Sequence, residues 1–140
     1  MATWILYAII SMFFAGLTAV LAKYGLQNIN ADLGLGIRTT AIFVMITAFN
    51  LIGNKYKDIG NLSLLQLGLL VASALATTIS WVFYYRAMKE GLVSYVAAID
   101  KGSIVITLLL SFLLLKEPVT AKVIIGSSLI VIGMIVLVWK

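Results

Sequence analysis

The chain has 140 residues, of which 63% are hydrophobic and 11% are charged, and its formal net charge is +5. Its mean hydropathy of +1.14 is far above what a soluble domain of this length needs for its core, which excludes an aqueous globular fold and indicates a lipid bilayer as solvent. The chain contains no cysteine and no histidine, which excludes disulfide scaffolds, thiolate metal sites and imidazole chemistry.

Five apolar runs follow one another along the chain, and each is about one membrane thick. A hydrocarbon layer of about 30 Å takes roughly 20 helical residues, so five spans fill the chain and leave only short connections. We predict one all-α integral membrane domain over residues 1–140 with five transmembrane helices. Their approximate bounds are residues 4–22, 34–53, 64–85, 92–115 and 120–139.

The residues at the ends of these runs indicate where helices begin and end. The first run could also be a signal peptide, but no basic residue precedes Trp4 and no small-residue cleavage site follows the run. The stretch from Asn54 to Asn61 predicts a polar turn between the second and third helices. Thr120, just after the only proline, is the predicted N-cap of the last helix.

The basic residues are divided almost evenly between the two membrane sides that five spans define. The side of the N-terminus carries Lys55, Lys57, Lys116 and Lys122. The opposite side carries Lys23, Arg38, Arg86, Lys89 and Lys140. This near tie under the positive-inside rule leaves open either one orientation set by local features or insertion in both orientations. Because these residues flank apolar runs and form no basic patch interleaved with aromatics, they do not indicate nucleic-acid binding.

The fourth helix contains two ionisable residues in an apolar run, Asp100 and Lys101. Each costs about 3 kcal/mol or more there unless it is paired or hydrated. Polar residues follow Asp100 on the same predicted face, namely Ser103, Thr107 and Ser111. Such a face should meet a cavity or a partner helix, and Gly102 could allow a local break that frees backbone carbonyls. The alternative is that the charged pair only specifies a subunit interface.

The third helix carries a second candidate group on one face, Thr77, Trp81 and Tyr84. A hydroxyl and two rings could line an amphipathic pocket or hold a cation over a ring, although aromatic residues near a helix end are often interfacial anchors. A stripe of small residues at four-residue spacing predicts close helix packing. Its members are Gly68, Ala72, Ala76 and Ser80, and Gly126 and Gly133 suggest the same on the last helix.

Two stretches resemble a known family, FYYRAMKEG at Phe83–Gly91 and LLLKEPVTAKVIIGSSLIVIG at Leu113–Gly133. With them, essentially the whole chain resembles the EamA-type repeat of the drug/metabolite transporter superfamily. The acidic Glu117 that closes the fourth helix and an arginine near the start of the second, Arg38, also fit that pattern. The chain departs from it in the fourth helix, where Asp100, Lys101 and Gly102 stand in place of a frequent proline. The first helix also lacks the glutamate of four-helix exporters.

The resemblance implies half of an inverted-repeat transporter fold, because common members carry two such repeats in tandem. A repeat with an odd number of spans, when duplicated, gives halves of opposite orientation with a site at their interface. A single copy can achieve this only by pairing with an inverted copy of itself. The resemblance therefore implies an antiparallel, dual-topology homodimer whose two Asp100–Lys101 pairs lie near its axis.

We therefore expect a small-molecule transporter for a metabolite or drug that works by alternating access, with Asp100 as the candidate for proton coupling. The predicted substrate-binding residues are Asp100, Lys101, Ser103, Thr107, Trp81, Thr77 and Tyr84. Its partners would be the substrate, membrane lipid and a second copy, in the cytoplasmic membrane of a prokaryote. We expect no cofactor, metal or catalytic residue, because no nucleophile-base or metal constellation is visible. The alternative is a non-transporting subunit or half-unit of a larger complex.

Overall fold

The computed structural model describes residues 2–139. It contains five helical segments that are long and apolar enough to cross a membrane, which confirms the predicted all-α membrane architecture. The continuous helices are α1 (Thr3–Gly25), α2 (Ala31–Ile52), α3 (Leu64–Glu90) and α6 (Ala121–Val138). The fourth span is interrupted and consists of α4 (Val93–Asp100) and α5 (Ser103–Leu114).

Side-chain caps explain where α2 and α6 begin. The backbone N–H of Asp32 donates to Asn30 Oδ1 at 2.8 Å, so α2 begins at Ala31 rather than near Gly34. The predicted cap of α6 is confirmed, because the Val123 N–H donates to Thr120 Oγ1 at 3.4 Å. The earlier start of α2 brings an acidic residue into its first turn, where the helix dipole favours it.

The third helix is longer than predicted at its C-terminal end. It begins at a capping box, in which the Ser63 N–H donates to Gln66 Oε1 at 2.8 Å and the Gln66 N–H donates to Ser63 Oγ at 3.2 Å. It then continues to Glu90 instead of ending near Tyr85. The last turn of α3 therefore carries Lys89. The connection before α3, predicted as a polar turn, is a 3₁₀ helix over Lys55–Asn61.

The chain divides into two compact units, which we call the central unit (Leu21–Lys89) and the terminal unit (residues 2–20 with 90–139). The buried core of the central unit forms where α1 ends, α2 begins and α3 ends. Its members are Leu26, Ala31, Leu35, Tyr85 and Met88. In the terminal unit α4 packs against α6, and Gly102 lies close to Met134.

Most large apolar side chains on the spans are exposed, as expected for helices that meet lipid or another helix instead of water. The predicted small-residue stripe on α3 is exposed along its whole length. A Cβ atom added at Gly68, Gly126 or Gly133 would meet nothing within 4 Å in this chain. These faces are therefore free of close contacts in the structure.

Two glycines of α2 give a matched test of the central unit's core. A Cβ atom at Gly34 would lie 2.5 Å from Cδ2 of the buried Leu26, whereas one at Gly36 would meet nothing within 4 Å. We expect Gly34→Ala to destabilise the protein by about 1–3 kcal/mol through overpacking. Gly36→Ala should leave stability unchanged or raise it by up to about 1 kcal/mol through helix propensity.

Thermal unfolding in detergent, followed by circular dichroism, measures both changes. Equal midpoints for the two variants would contradict the proposed packing of Leu26 on α2.

Candidate functional site

The predicted site residues fall into two groups, one in each unit. The terminal unit holds Asp100, Lys101, Ser103 and Thr107, and the central unit holds Thr77, Trp81 and Tyr84.

The fourth span breaks at the charged pair. The N–H of Gly102 donates to the Ile99 carbonyl at 2.9 Å, and the N–H of Lys101 likewise bonds three residues back instead of four. Such 3₁₀ geometry inside a helix often marks a hinge. The side chains of Asp100 and Lys101 are 42% and 65% exposed, and Lys101 Nζ lies 3.6 Å from Asp100 Oδ2. The two charges thus partly satisfy each other while both remain open to further partners.

The polar residues that follow the break lie in different surroundings. Thr107 Oγ1 donates to the Ser103 carbonyl at 3.1 Å, which satisfies one of its hydrogen-bonding groups within α5. Ser111, one turn further on, lines a cavity of about 690 Å³ between α5 and α6, whereas Ser103 and Thr107 do not. The predicted polar face is therefore divided in the structure between the region of the break and this cavity.

The cavity between α5 and α6 is mostly aliphatic and includes one carboxylate, Glu117. Its other polar residues are Ser111, Ser127 and Ser128. At its edge Lys116 adopts a left-handed conformation (φ 54°), which turns the chain so that the Glu117 N–H donates to the Ser111 carbonyl at 3.2 Å. Glu117 stood out in the sequence only through its match to the family pattern.

The central unit contains a smaller cavity of about 370 Å³ between α2 and α3. Of the residues predicted to share a pocket, Thr77 and Trp81 line it, whereas Tyr84 does not and instead has its ring 6.4 Å from that of Tyr85. The complete lining is Leu35, Thr39, Leu70, Ser73, Ala74, Thr77, Thr78 and Trp81. Because Thr77 stands midway between Leu64 and Glu90, the cavity lies near the middle of α3.

The threonines of this cavity use their hydroxyl protons within their own helices. Thr39 donates to the carbonyl of Leu35 at 2.8 Å. Thr77 and Thr78 each donate to the carbonyl four residues back at 2.9 Å. A hydroxyl has one proton to donate and two lone pairs that accept, so these oxygens are left as acceptors.

An arginine that sequence reasoning did not place in the site lies against the cavity wall. Arg38 Cζ is 4.6 Å from the centroid of the Trp81 ring and 5.8 Å from that of Tyr85, a cation–π arrangement. The sequence predicted that a cation could sit over a ring of this face. The structure shows that the cation is the chain's own Arg38, over Trp81 and Tyr85.

Next to this arginine, an ion pair joins the start of α2 to the end of α3. Arg86 Nε donates to Asp32 Oδ1 at 3.0 Å, and Arg86 Nη2 donates to Asp32 Oδ2 at 2.8 Å. This bidentate geometry is the favoured arrangement of a guanidinium and a carboxylate. Because it occupies both carboxylate oxygens of Asp32, that residue is already matched to a cation other than Arg38.

Two lysines complete this charged end by bonding to backbone carbonyls at helix ends. Lys23 Nζ donates to the carbonyls of Met88 and Lys89 at 2.7 and 3.1 Å, and Lys89 Nζ donates to that of Leu26 at 2.7 Å. The last carbonyls of a helix lack intrahelical donors and favour a cation. These bonds hold the end of α3 against the end of α1 and the connection that follows it.

Residues 2–139 contain no group of three or more acidic residues that could hold a metal ion.

The sequence is similar to those of known proteins. The sequence matches the EamA-like transporter family over residues 2–139. A protein of Sinorhizobium sp. described as an uncharacterized transporter in the cobO 3' region is 35% identical over 135 residues, covering 96% of this chain and 96% of its own. No solved structure matches the chain.

Replacing Lys23 tests the charged end. We expect Lys23→Met to destabilise the end of α3 by about 1 kcal/mol, because the carbonyls of Met88 and Lys89 lose a charged donor. Faster amide hydrogen exchange over the last turn of α3 would report this, with unchanged exchange at Thr77.

Lys57→Met is the matched control, since it removes a lysine from the 3₁₀ helix before α3. Equal exchange at the end of α3 in both variants would mean that Lys23 does not cap this helix.

Proposed function

The chain belongs to the EamA-like transporter family, and we propose that it moves a small metabolite or drug across the membrane by alternating access, as an antiparallel homodimer. The observation that supports this most is the break in the fourth span, where Asp100 and Lys101 stand exposed beside 3₁₀ geometry. Ionisable groups at such depth are costly unless they serve a polar path or face a partner. A transport path at a dimer interface fulfils both conditions.

The antiparallel arrangement follows from the number of spans. Inverted repeats form their substrate site at the interface between two halves, and discontinuous helices commonly line it. This chain has five candidate spans, one of them discontinuous, and so provides one half. The nearly balanced distribution of lysine and arginine between the two sides is compatible with insertion in both orientations.

Within this proposal the residues of the two units have distinct roles. Asp100 is the carboxylate that takes up and releases a proton during the cycle, and Lys101 neutralises it when it is ionised. Ser103 and Thr107 provide polar groups on the path after the break. In the central unit Thr77 and Trp81 bind the substrate at the cavity wall, and Tyr84 contributes an aromatic surface beside it.

We place the protein in the cytoplasmic membrane of a prokaryote, because a relative with 35% identity comes from Sinorhizobium. Its partners are then membrane lipid, a small-molecule substrate and a second copy of the chain. In this proposal the protein is not an enzyme and needs no cofactor, because a concentration or proton gradient supplies the driving force.

Substitution of Asp100 tests the proposed path. We expect Asp100→Asn to reduce uptake driven by a pH gradient by roughly tenfold or more, because the only carboxylate inside the fourth span can no longer titrate. Uptake is measured in proteoliposomes with a panel of radiolabelled L-amino acids. Dimer assembly in detergent should be retained.

Asp58→Asn, which removes a carboxylate from the 3₁₀ helix before α3, is the matched control and should transport normally. Full gradient-driven uptake by Asp100→Asn would rule out proton coupling at this residue. Loss of the dimer in Asp100→Asn would instead identify the pair as an assembly device, as expected for a non-transporting subunit.

A further inference from the structure

Arg38 carries a charge inside a membrane span that no other described residue neutralises. It lies seven residues after the start of α2, roughly 10 Å along the helix at about 1.5 Å per residue. Among residues 2–139 the ion pairs are Arg86 with Asp32 and Lys101 with Asp100, so no carboxylate is paired with Arg38. Its contacts are the faces of Trp81 and Tyr85, which compensate only part of the charge.

The stacking of Arg38 leaves its best hydrogen-bonding groups available. A guanidinium that rests on a ring uses its face, whereas its five N–H donors point outward in the plane of the group. That edge matches the two oxygens of a carboxylate or the oxygens of a phosphate. Trp81, the ring beneath it, is also a wall of the 370 Å³ cavity at the middle of α3.

We infer that Arg38 binds the carboxylate of a small organic acid whose remaining part occupies the cavity between α2 and α3. The inference rests on the proposed function and names the substrate class for it. The oxyanion of the ligand serves as the counterion of Arg38, which has no carboxylate partner among residues 2–139, and it lies beside the Trp81 ring. Arg38 then anchors the substrate in the central unit.

The other walls of the cavity define the rest of the ligand. The hydroxyls of Thr39, Thr77 and Thr78 have donated their protons to backbone carbonyls, so they accept hydrogen bonds from whatever enters. A ligand therefore needs an N–H or O–H donor a few ångströms from its carboxylate. Leu35 and Leu70 provide an apolar surface for a short side chain. Together these features select small amino acids or hydroxy acids.

The cavity volume agrees with this class. About 370 Å³ is at the lower end of the range of small-molecule sites, which run from about 300 to 1,000 Å³. A space of this size accommodates an amino acid or a hydroxy acid. The phosphate of a phospholipid has the same oxyanion chemistry. The experiment must therefore distinguish a bound lipid phosphate from the carboxylate of a soluble acid.

Trp81 provides a direct reporter of binding. The chain has three tryptophans, and the other two stand at the chain ends, so a Trp4→Phe, Trp139→Phe background leaves Trp81 alone. The purified protein in maltoside detergent is titrated with small, branched and aromatic L-amino acids and with L-lactate. We expect a saturable change in Trp81 fluorescence for at least one of these acids.

The strongest responder is then compared with two analogues on the unchanged protein. Its amide lacks the carboxylate, and its deaminated acid lacks the donor. Each should bind weaker by roughly tenfold or more, because each leaves polar groups of the site unpaired. An amide that binds as well as its acid would overturn the assignment of Arg38.

Substitution of Arg38 provides an independent test. Arg38→Gln should weaken binding by roughly tenfold or more, and Arg38→Lys should have an intermediate effect because it keeps the charge without the planar fork. Lys57→Gln is the matched control for the loss of a charge and should bind normally. Circular dichroism establishes that each variant is folded, and acid binding that is independent of residue 38 in folded protein would overturn the proposal.

Addition of phospholipid distinguishes a lipid phosphate from a soluble acid as the ligand of Arg38. If a lipid phosphate is the true ligand, phospholipid added to the detergent solution will change Trp81 fluorescence, Arg38→Gln will remove that change, and no acid will give one. That result overturns the proposal for a soluble substrate. Equilibrium binding requires neither a gradient nor a particular dimer, so acid binding without uptake would contradict only the proposed transport. Uptake that survives in Arg38→Gln would contradict only this inference.

Discussion

The bidentate ion pair between Asp32 and Arg86 connects the first turn of α2 to the last turns of α3, across 54 positions of sequence. The chain has five acidic and ten basic residues, so at least five of its basic side chains have no carboxylate of their own to pair with. The pair joins the start of α2 to the end of α3, the same two helices on which Arg38 and Trp81 are in contact. Because both oxygens of Asp32 bind Arg86, this carboxylate does not pair with Arg38.

The rest of the central unit follows from the same constraint, that polar groups in an apolar environment need partners. Lys23 and Lys89 bond to carbonyls at helix ends, and the threonines of the cavity bond to their own helices. The buried core, with Leu26 and Met88 at its centre, lies beside this charged end. The spans beyond it expose their apolar side chains and a stripe of small residues, surfaces suited to lipid and to a second chain.

Sequence reasoning reached the architecture because composition and the lengths of the apolar runs determine it. It also identified the Thr120 cap, the weak point at Gly102, and two residues of the central cavity, Thr77 and Trp81, from local spacing alone. It did not find the Asp32–Arg86 pair, because the predicted second helix began near Gly34 and left Asp32 outside it.

The role of Arg38 was missed for a related reason. Helical periodicity shows which residues share a face of one helix, but contacts between helices depend on their register. Contacts between residues that are distant in sequence report that register here, such as the ion pair of Asp32 with Arg86. Tyr84 shares a predicted face with Trp81 yet does not line the cavity, because the register places Tyr85 beside Arg38 instead.

The central claim is that one half of an inverted-repeat transporter pairs with an inverted copy of itself. The absence of cysteine allows a direct test by single replacements on opposite sides, Gln27→Cys after α1 and Asn61→Cys before α3. Both replace a neutral residue, and neither has the left-handed backbone of the neighbouring Asn28 and Asn54. A membrane-impermeant maleimide is applied to intact and to permeabilised cells. The account predicts that about half of each variant is labelled from outside; complete labelling of one variant and none of the other would establish a single orientation and contradict it.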